Sequence, residues 1–141
     1  MSKINGARVV LGGLLAGVII NTSEFVLNTS VVGKDWEEVW RQLGRDPAEV
    51  AASIPIWILW SFLVGIFGTW IYAAIRPRFG PGPRTAVYAG IALWATVYLT
   101  FALAMVAMQL LPDKLIWLSL FWGLAEAILA VLVAGWVYKE A

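Results

Sequence analysis

An all-α bundle of four transmembrane helices, with a short amphipathic interfacial helix between the first two spans, is the fold class this sequence predicts. Three observations carry the prediction. Hydrophobic residues make up 61% of the chain and charged residues only 13%, with a mean hydropathy of +0.80, a balance that suits lipid rather than water as the main solvent. The apolar residues gather into runs long enough to cross a hydrocarbon core, which takes roughly 20 helical residues. Between the runs stand the Pro, Gly and charged residues that end helices. A single integral membrane domain over residues 1–141 is expected.

The first span is expected over about 8–27. Lys3 and Arg8 ahead of an apolar run imitate a secretory signal, but no small-x-small cleavage site follows cleanly, so an uncleaved span is expected. Next, Trp36, Val39, Trp40 and Leu43 fall at i, i+3, i+4 and i+7, with Glu37, Glu38, Arg41 and Gln42 on the opposite face. That pattern predicts an interfacial helix over about 35–43, packed on the bundle ends or open to lipid and partners. The run DPAE from Asp46 to Glu49 supplies a capping aspartate, a proline at the first helical position and a glutamate at the third. A helix starts there, and Pro55 is expected to bend it into the second span, about 54–75.

The connection RPRFGPGPRT, Arg76 to Thr85, is expected to stop that helix and reverse the chain tightly. The third span follows over about 85–110 and the fourth over about 115–138. GTWIYAAIR and AGWVYKE end the second and fourth spans alike, a hint of a duplicated two-helix unit.

Charge sets the orientation. Lys3, Arg8, Arg76, Arg78, Arg84 and Lys139, with Glu140, flank the end that holds both termini; four bases and six acids flank the other. The positive-inside rule then places both termini in the cytoplasm. Trp57 and Trp117 at the outer boundary, and Trp70, Tyr72, Trp136 and Tyr138 at the inner one, suit aromatic anchoring belts. Arg76, Arg78 and Arg84 are candidates for anionic lipid headgroups, and equally serve as the topology signal itself.

Composition also excludes function classes. The chain has no cysteine and no histidine, which removes disulfides, thiolate chemistry and the commonest transition-metal and haem ligand, so no cofactor and no metal centre is expected. The basic residues are scattered at span ends rather than gathered into a stripe, so the expected partner is the bilayer and not nucleic acid. No nucleophile elbow, phosphate loop or metal motif is present, and an enzyme is not expected.

The residues that bear on function lie inside the spans. Glu126 sits near the middle of the apolar stretch Leu115 to Tyr138, with Lys114 and Lys139 its nearest cations in sequence. A carboxylate at that depth is unfavourable by about 3 kcal/mol on insertion scales and more in simulations, so it is normally neutral, paired or functional. On the first span Gly13, Gly17, Asn21, Glu24 and Asn28 share one helical face. Ser61, Gly65, Gly68 and Tyr72 do so on the second, and Ser119, Gly123, Glu126, Ala130 and Ala134 on the fourth. Small residues at this spacing let helix backbones approach, and polar ones bond across the contact, so the three faces are expected to meet.

At about 1.5 Å per residue, Glu126 and Asn21 both lie roughly 20 Å from the inner boundary and Glu24 about 24 Å. A polar cluster of Asn21, Glu24 and Glu126, joined by Ser61 or Thr96, is therefore expected in the outer half of the membrane. With no cation at its depth, Glu126 is expected to be a neutral acid. It then serves as a hydrogen-bond donor that locks the bundle, or as a proton- or cation-exchanging group.

The stretches ARVVLGGLLAGVIINTSEFVLN, GTWIYAAIRPRFGPGPRTA and WGLAEAILAVLVAGWVY resemble a group of uncharacterised bacterial four-span membrane proteins. The resemblance implies a bacterial inner-membrane setting and no particular substrate. Small multidrug transporters also share the four spans and an intramembrane glutamate, but theirs lies in the first span, whereas the deepest acid here lies in the fourth. The leading functional expectation is a non-enzymatic accessory or scaffold subunit, a homo-oligomer or part of a larger membrane complex, associating through its small-residue faces. The alternative is a small proton-coupled transporter or cation pathway built on Glu126 and Glu24.

Overall fold

The computed structural model describes residues 3–140. Helix α1 (Gly6–Val26) continues through a widened π turn, Leu27–Val31, into the short α2 (Gly33–Gln42) and α3 (Pro47–Ala51). Then follow α4 (Ile54–Phe79), α5 (Pro83–Trp94), a second π turn at Ala95–Leu99, α6 (Thr100–Met108) and α7 (Asp113–Val137). Four helical stretches, Gly6–Val31, Pro47–Phe79, Pro83–Met108 and Asp113–Val137, are long and apolar enough to cross a membrane. The chain is 86% helical without strands among the described residues, an all-α bundle. Each span packs on its neighbours in sequence, and α1 and α7 close the ring, with α4 and α7 meeting across the diagonal.

Capping follows the local chemistry. Asn5 accepts the Arg8 N–H at 3.2 Å to start α1, and the Asp46 carboxylate accepts the Ala48 N–H at 2.7 Å, with Pro47 at the first helical position of α3. Helix α3 breaks at Ala52 and Ser53, just ahead of Pro55. One boundary departs from the sequence expectation: α4 does not stop at Arg76 but runs through Pro77 to Phe79. A proline in the last turn removes a single backbone bond, and Gly80 then ends the helix at φ 84°, its N–H returning to the Arg76 carbonyl at 2.9 Å. Gly82 follows at φ 124°, so two glycines carry the whole reversal in backbone conformations that side chains disfavour.

Small residues hold the spans together. A side chain at Gly65 would run into the Gly13 carbonyl and the Gly17 amide, and one at Gly13 or Gly17 into Ile66 or Phe62, so α1 and α4 meet backbone to backbone. Gly68 makes room for Leu93 and Val131, and Gly90 for the α7 backbone at Ile128. Ala16, Ala89, Ala127, Ala130 and Ala134 are wholly buried. Large apolar side chains point outward instead, among them Leu59, Leu63, Phe101, Phe121 and Leu129, as a lipid-facing surface requires.

At the end away from the termini, α2 lies over the bundle. Val39 is buried, and Trp36 and Trp40 pack with it on Leu27, Val32 and Leu115, while Leu43 stays exposed. Lys114 Nζ reaches Asp35 Oδ2 at 2.7 Å and pins α2 to the start of α7. At the opposite end the Asn5 N–H donates to the Tyr138 hydroxyl at 3.2 Å, so the two termini lie together.

Candidate functional site

Glu126 is 3% exposed, on the face of α7 that meets α1 and the second π turn. The Tyr98 hydroxyl donates to its Oε1 at 2.7 Å, while Oε2 is buried without a hydrogen-bond partner among the described residues. Ser23 and Glu24 also lie beside the carboxyl. Ser23 Oγ accepts the Trp122 indole N–H at 2.8 Å. Glu24 is half-buried, and the Asn28 amide donates to its Oε2 at 2.7 Å and to its backbone carbonyl at 2.8 Å. Two carboxyls are thus neighbours inside the bundle among hydroxyl, indole and amide groups, with no Lys or Arg of the described residues beside either one.

Helix direction explains which acid reaches which. Side chains lean toward the N-terminus of their own helix, and α1 and α7 run antiparallel. Glu24 therefore leans toward the termini and Glu126 away from them, closing the roughly 4 Å depth difference between them. The same lean carries Asn21 toward the termini too, away from Glu126. Its amide donates to the Gly17 carbonyl at 3.0 Å and to the Ile58 carbonyl at 3.4 Å, so it ties α1 to α4 and makes no hydrogen bond to Glu126. Ser61 and Thr96 also bond their own helices, to the Trp57 carbonyl at 3.0 Å and the Ala92 carbonyl at 2.8 Å, and stand outside the acid pair.

Tyr98 comes from an irregularity. Along α5 the inward residues are Thr85, Ala86, Ala89, Gly90 and Leu93, a series that an unbroken helix would continue at Thr96. The π turn at Ala95–Leu99 inserts one extra residue, so the inward series resumes with Tyr98 and Ala102 while Thr96 and Thr100 turn outward. Hydroxyls repair the loosened ladder: Thr96 donates to the Ala92 carbonyl, and Thr100 to the Thr96 carbonyl at 2.6 Å. At the other π turn Val32 N donates to the Leu27 carbonyl at 2.9 Å, and the Asn28 and Thr29 side chains serve the Glu24 and Phe25 carbonyls in the same way. Gly123 completes the arrangement, since any side chain there would overlap the Tyr98 ring.

Sequence reasoning missed Tyr98, Ser23 and Trp122. Trp122 stands one turn before Glu126 and Ser23 next to Glu24, so both were readable from spacing. Tyr98 was hidden by the register shift. Three tryptophans inside the spans engage the protein itself: Trp94 donates to the Leu120 carbonyl at 2.9 Å, Trp122 to Ser23, and the Trp60 ring packs edge-on to Tyr98 at 6.1 Å.

A cavity of about 70 Å³ is lined by Trp36 of α2 together with Tyr98, Met105, Leu115 and Ser119. The Trp36 indole nitrogen is buried without a hydrogen-bond partner among the described residues. The three arginines part company. Arg76 is half-buried against Glu140, whose Oε1 lies 3.1 Å from its Nη1, and over the Tyr138 ring. Arg84 bonds the Tyr88 hydroxyl at 2.9 Å, and Arg78 is exposed.

Comparison with known proteins returns no match to this chain among family profiles, curated proteins or solved structures, and so supports neither the family resemblance nor the bacterial origin it implies.

Proposed function

We propose that this protein is a small membrane transport protein that moves protons or small cations, with Glu24 and Glu126 as the exchanging pair. The observation that carries the reading is that two carboxyls are neighbours inside the bundle, one of them 3% exposed, without a basic side chain from the described residues beside them. Such carboxyls stay together by sharing a proton or a cation. As a purely structural device the pair is poor, because a single neutral residue would satisfy the same donors at lower desolvation cost.

The nearby cavity supports the same reading. At about 70 Å³ it has room for about two waters, each taking about 30 Å³, and Tyr98, whose hydroxyl bonds Glu126, is among its lining residues. Water reaches Tyr98 from the α2 end, and the proton passes between Tyr98, Glu126 and Glu24. The Lys and Arg distribution supports a reading with that end outside and both termini in the cytoplasm. A bacterial cytoplasmic membrane rests on the resemblance of the three quoted stretches. An accessory subunit docking through small-residue faces draws less support, since Gly13, Gly17, Gly65, Gly68 and Gly123 are all filled by side chains or backbone of the same chain.

The test is proton flux into liposomes holding a pH dye, driven by a potassium gradient and valinomycin. Wild-type protein should acidify the lumen above empty vesicles, and Glu126→Gln and Glu24→Gln should return the rate to background with helicity and monodispersity intact. Equal rates for wild type and Glu126→Gln would overturn the proposal.

A further inference from the structure

The termini end of the bundle holds a second polar site, remote from the acid pair. A cavity of about 240 Å³ lies between the Gly80–Gly82 reversal and the last turns of α4 and α7, lined by Tyr72, Arg76, Pro81, Gly82, Leu132 and Trp136. Arg76, one of the lining residues, carries two donors without acceptors among the described residues. Its Nε and Nη1 are buried without a hydrogen-bond acceptor among those residues, since the Glu140 carboxylate 3.1 Å from Nη1 balances the charge without the alignment of a hydrogen bond. The Tyr72 hydroxyl already accepts the Gly82 N–H at 3.2 Å, which leaves its own proton to give. Helix α5 begins beside the cavity at Pro83 with no side-chain cap, adding the positive end of a helix dipole.

Buried guanidinium N–H groups are rarely left without an acceptor, and a guanidinium fork beside a hydroxyl donor matches the oxygens of a phosphate. The opposite wall is different in kind. Pro81, Leu132 and Trp136 are apolar, and Trp136 is 82% exposed at the bundle surface, where an aromatic ring marks the membrane boundary.

We propose that this cavity binds a phosphate ester, its oxygens taken by Arg76 and Tyr72 and its carbon skeleton laid along Leu132 and Trp136, the arrangement suited to an anionic phospholipid. Glu140 holds the guanidinium until the phosphate replaces it. The site is a defined pocket and not a general basic surface, so Arg78, exposed and outside its lining, takes no part.

The test is native mass spectrometry of the full chain in nanodiscs of equal phosphatidylglycerol and phosphatidylcholine. Wild-type protein should retain phosphatidylglycerol in preference, and Arg76→Gln should cut that retention about tenfold or more, the loss expected when charge-assisted hydrogen bonds to a phosphate go. Tyr72→Phe should lower it severalfold, Glu140→Gln should raise it, and Arg78→Gln should leave it unchanged. If Arg76→Gln does not fold, Tyr72→Phe decides. Adding millimolar inorganic phosphate separates the sources: Arg76-dependent displacement identifies free phosphate as a ligand of the site, and persistence of the lipid identifies the phospholipid. No preference in the wild type, retention unchanged by Tyr72→Phe and Arg76→Gln, or equal loss in Arg78→Gln would overturn the proposal.

Discussion

Replacing Tyr98 by phenylalanine removes one oxygen and keeps the ring that fills the space over Gly123. The oxygen is the donor of the 2.7 Å bond to Glu126 Oε1, and Oε2 has no partner to compensate. A buried acceptor that loses its donor costs about 1–3 kcal/mol, while hydrogen bonds between membrane helices average about 0.6 and reach about 1.7 kcal/mol. Because the carboxyl is 3% exposed and water has little access to it, Tyr98→Phe should lie at the upper end of the membrane range, about 1.5 kcal/mol. Reversible unfolding in mixed detergent micelles, titrated with dodecyl sulfate, measures it. The control is a cycle with Glu126→Leu: in that background Tyr98→Phe should cost no more than about 0.5 kcal/mol, the level at which uncoupled sites add. An equal loss in both backgrounds, or none in the wild type, would refute the claim that this hydroxyl serves the acid.

Two further outcomes follow from the packing and the surface. Gly65→Ala should destabilise by about 1–3 kcal/mol, because the added carbon meets the Gly13 carbonyl and the Gly17 amide, neither of which can rotate aside; Gly6→Ala, with open space around it, should be neutral in the same thermal unfolding assay in detergent. On α2, the Arg41 guanidinium and then the Gln42 amide hold the exposed Glu38 carboxyl below the usual glutamate range. A lowered value in the folded state means the contribution is whole at neutral pH, fades as the pH falls past about 4.3, the ordinary glutamate value, and is gone below the lowered one. Carbon-detected NMR should show the Glu38 midpoint rise in Arg41→Gln, and an unchanged midpoint would dismiss the pair.

The four spans and α2 were legible because lipid imposes long apolar runs and an interface imposes a one-sided helix, and both leave plain periodicities in the residues. The α3 cap was equally readable from Asp46 and Pro47. Where α4 ends was not, since a proline in a last turn and one in a helix interior look the same in sequence and differ only in how many backbone bonds they remove. Within the site, depth counting singled out Glu126 and placed Glu24 close to it. It also favoured Asn21, because counting along a helix axis ignores the lean of side chains, which runs in opposite directions on antiparallel helices. Tyr98 lay beyond reach for a different reason. A face projected at a constant 3.6 residues per turn selects Thr96, and nothing short of the folded backbone announces the extra residue that turns Thr96 away.

That extra residue makes the site intolerant of tidying. Deleting one position between Ala95 and Leu99 would restore a regular backbone ladder to the third span and spare the chain its threonine repairs. It would also swing everything on one side of the cut by about 100°, taking Tyr98 out of line with the carboxyl and leaving Gly123 facing an empty notch. A shorter span would be the better helix and the poorer protein, and the length of this segment is set by the acid across from it.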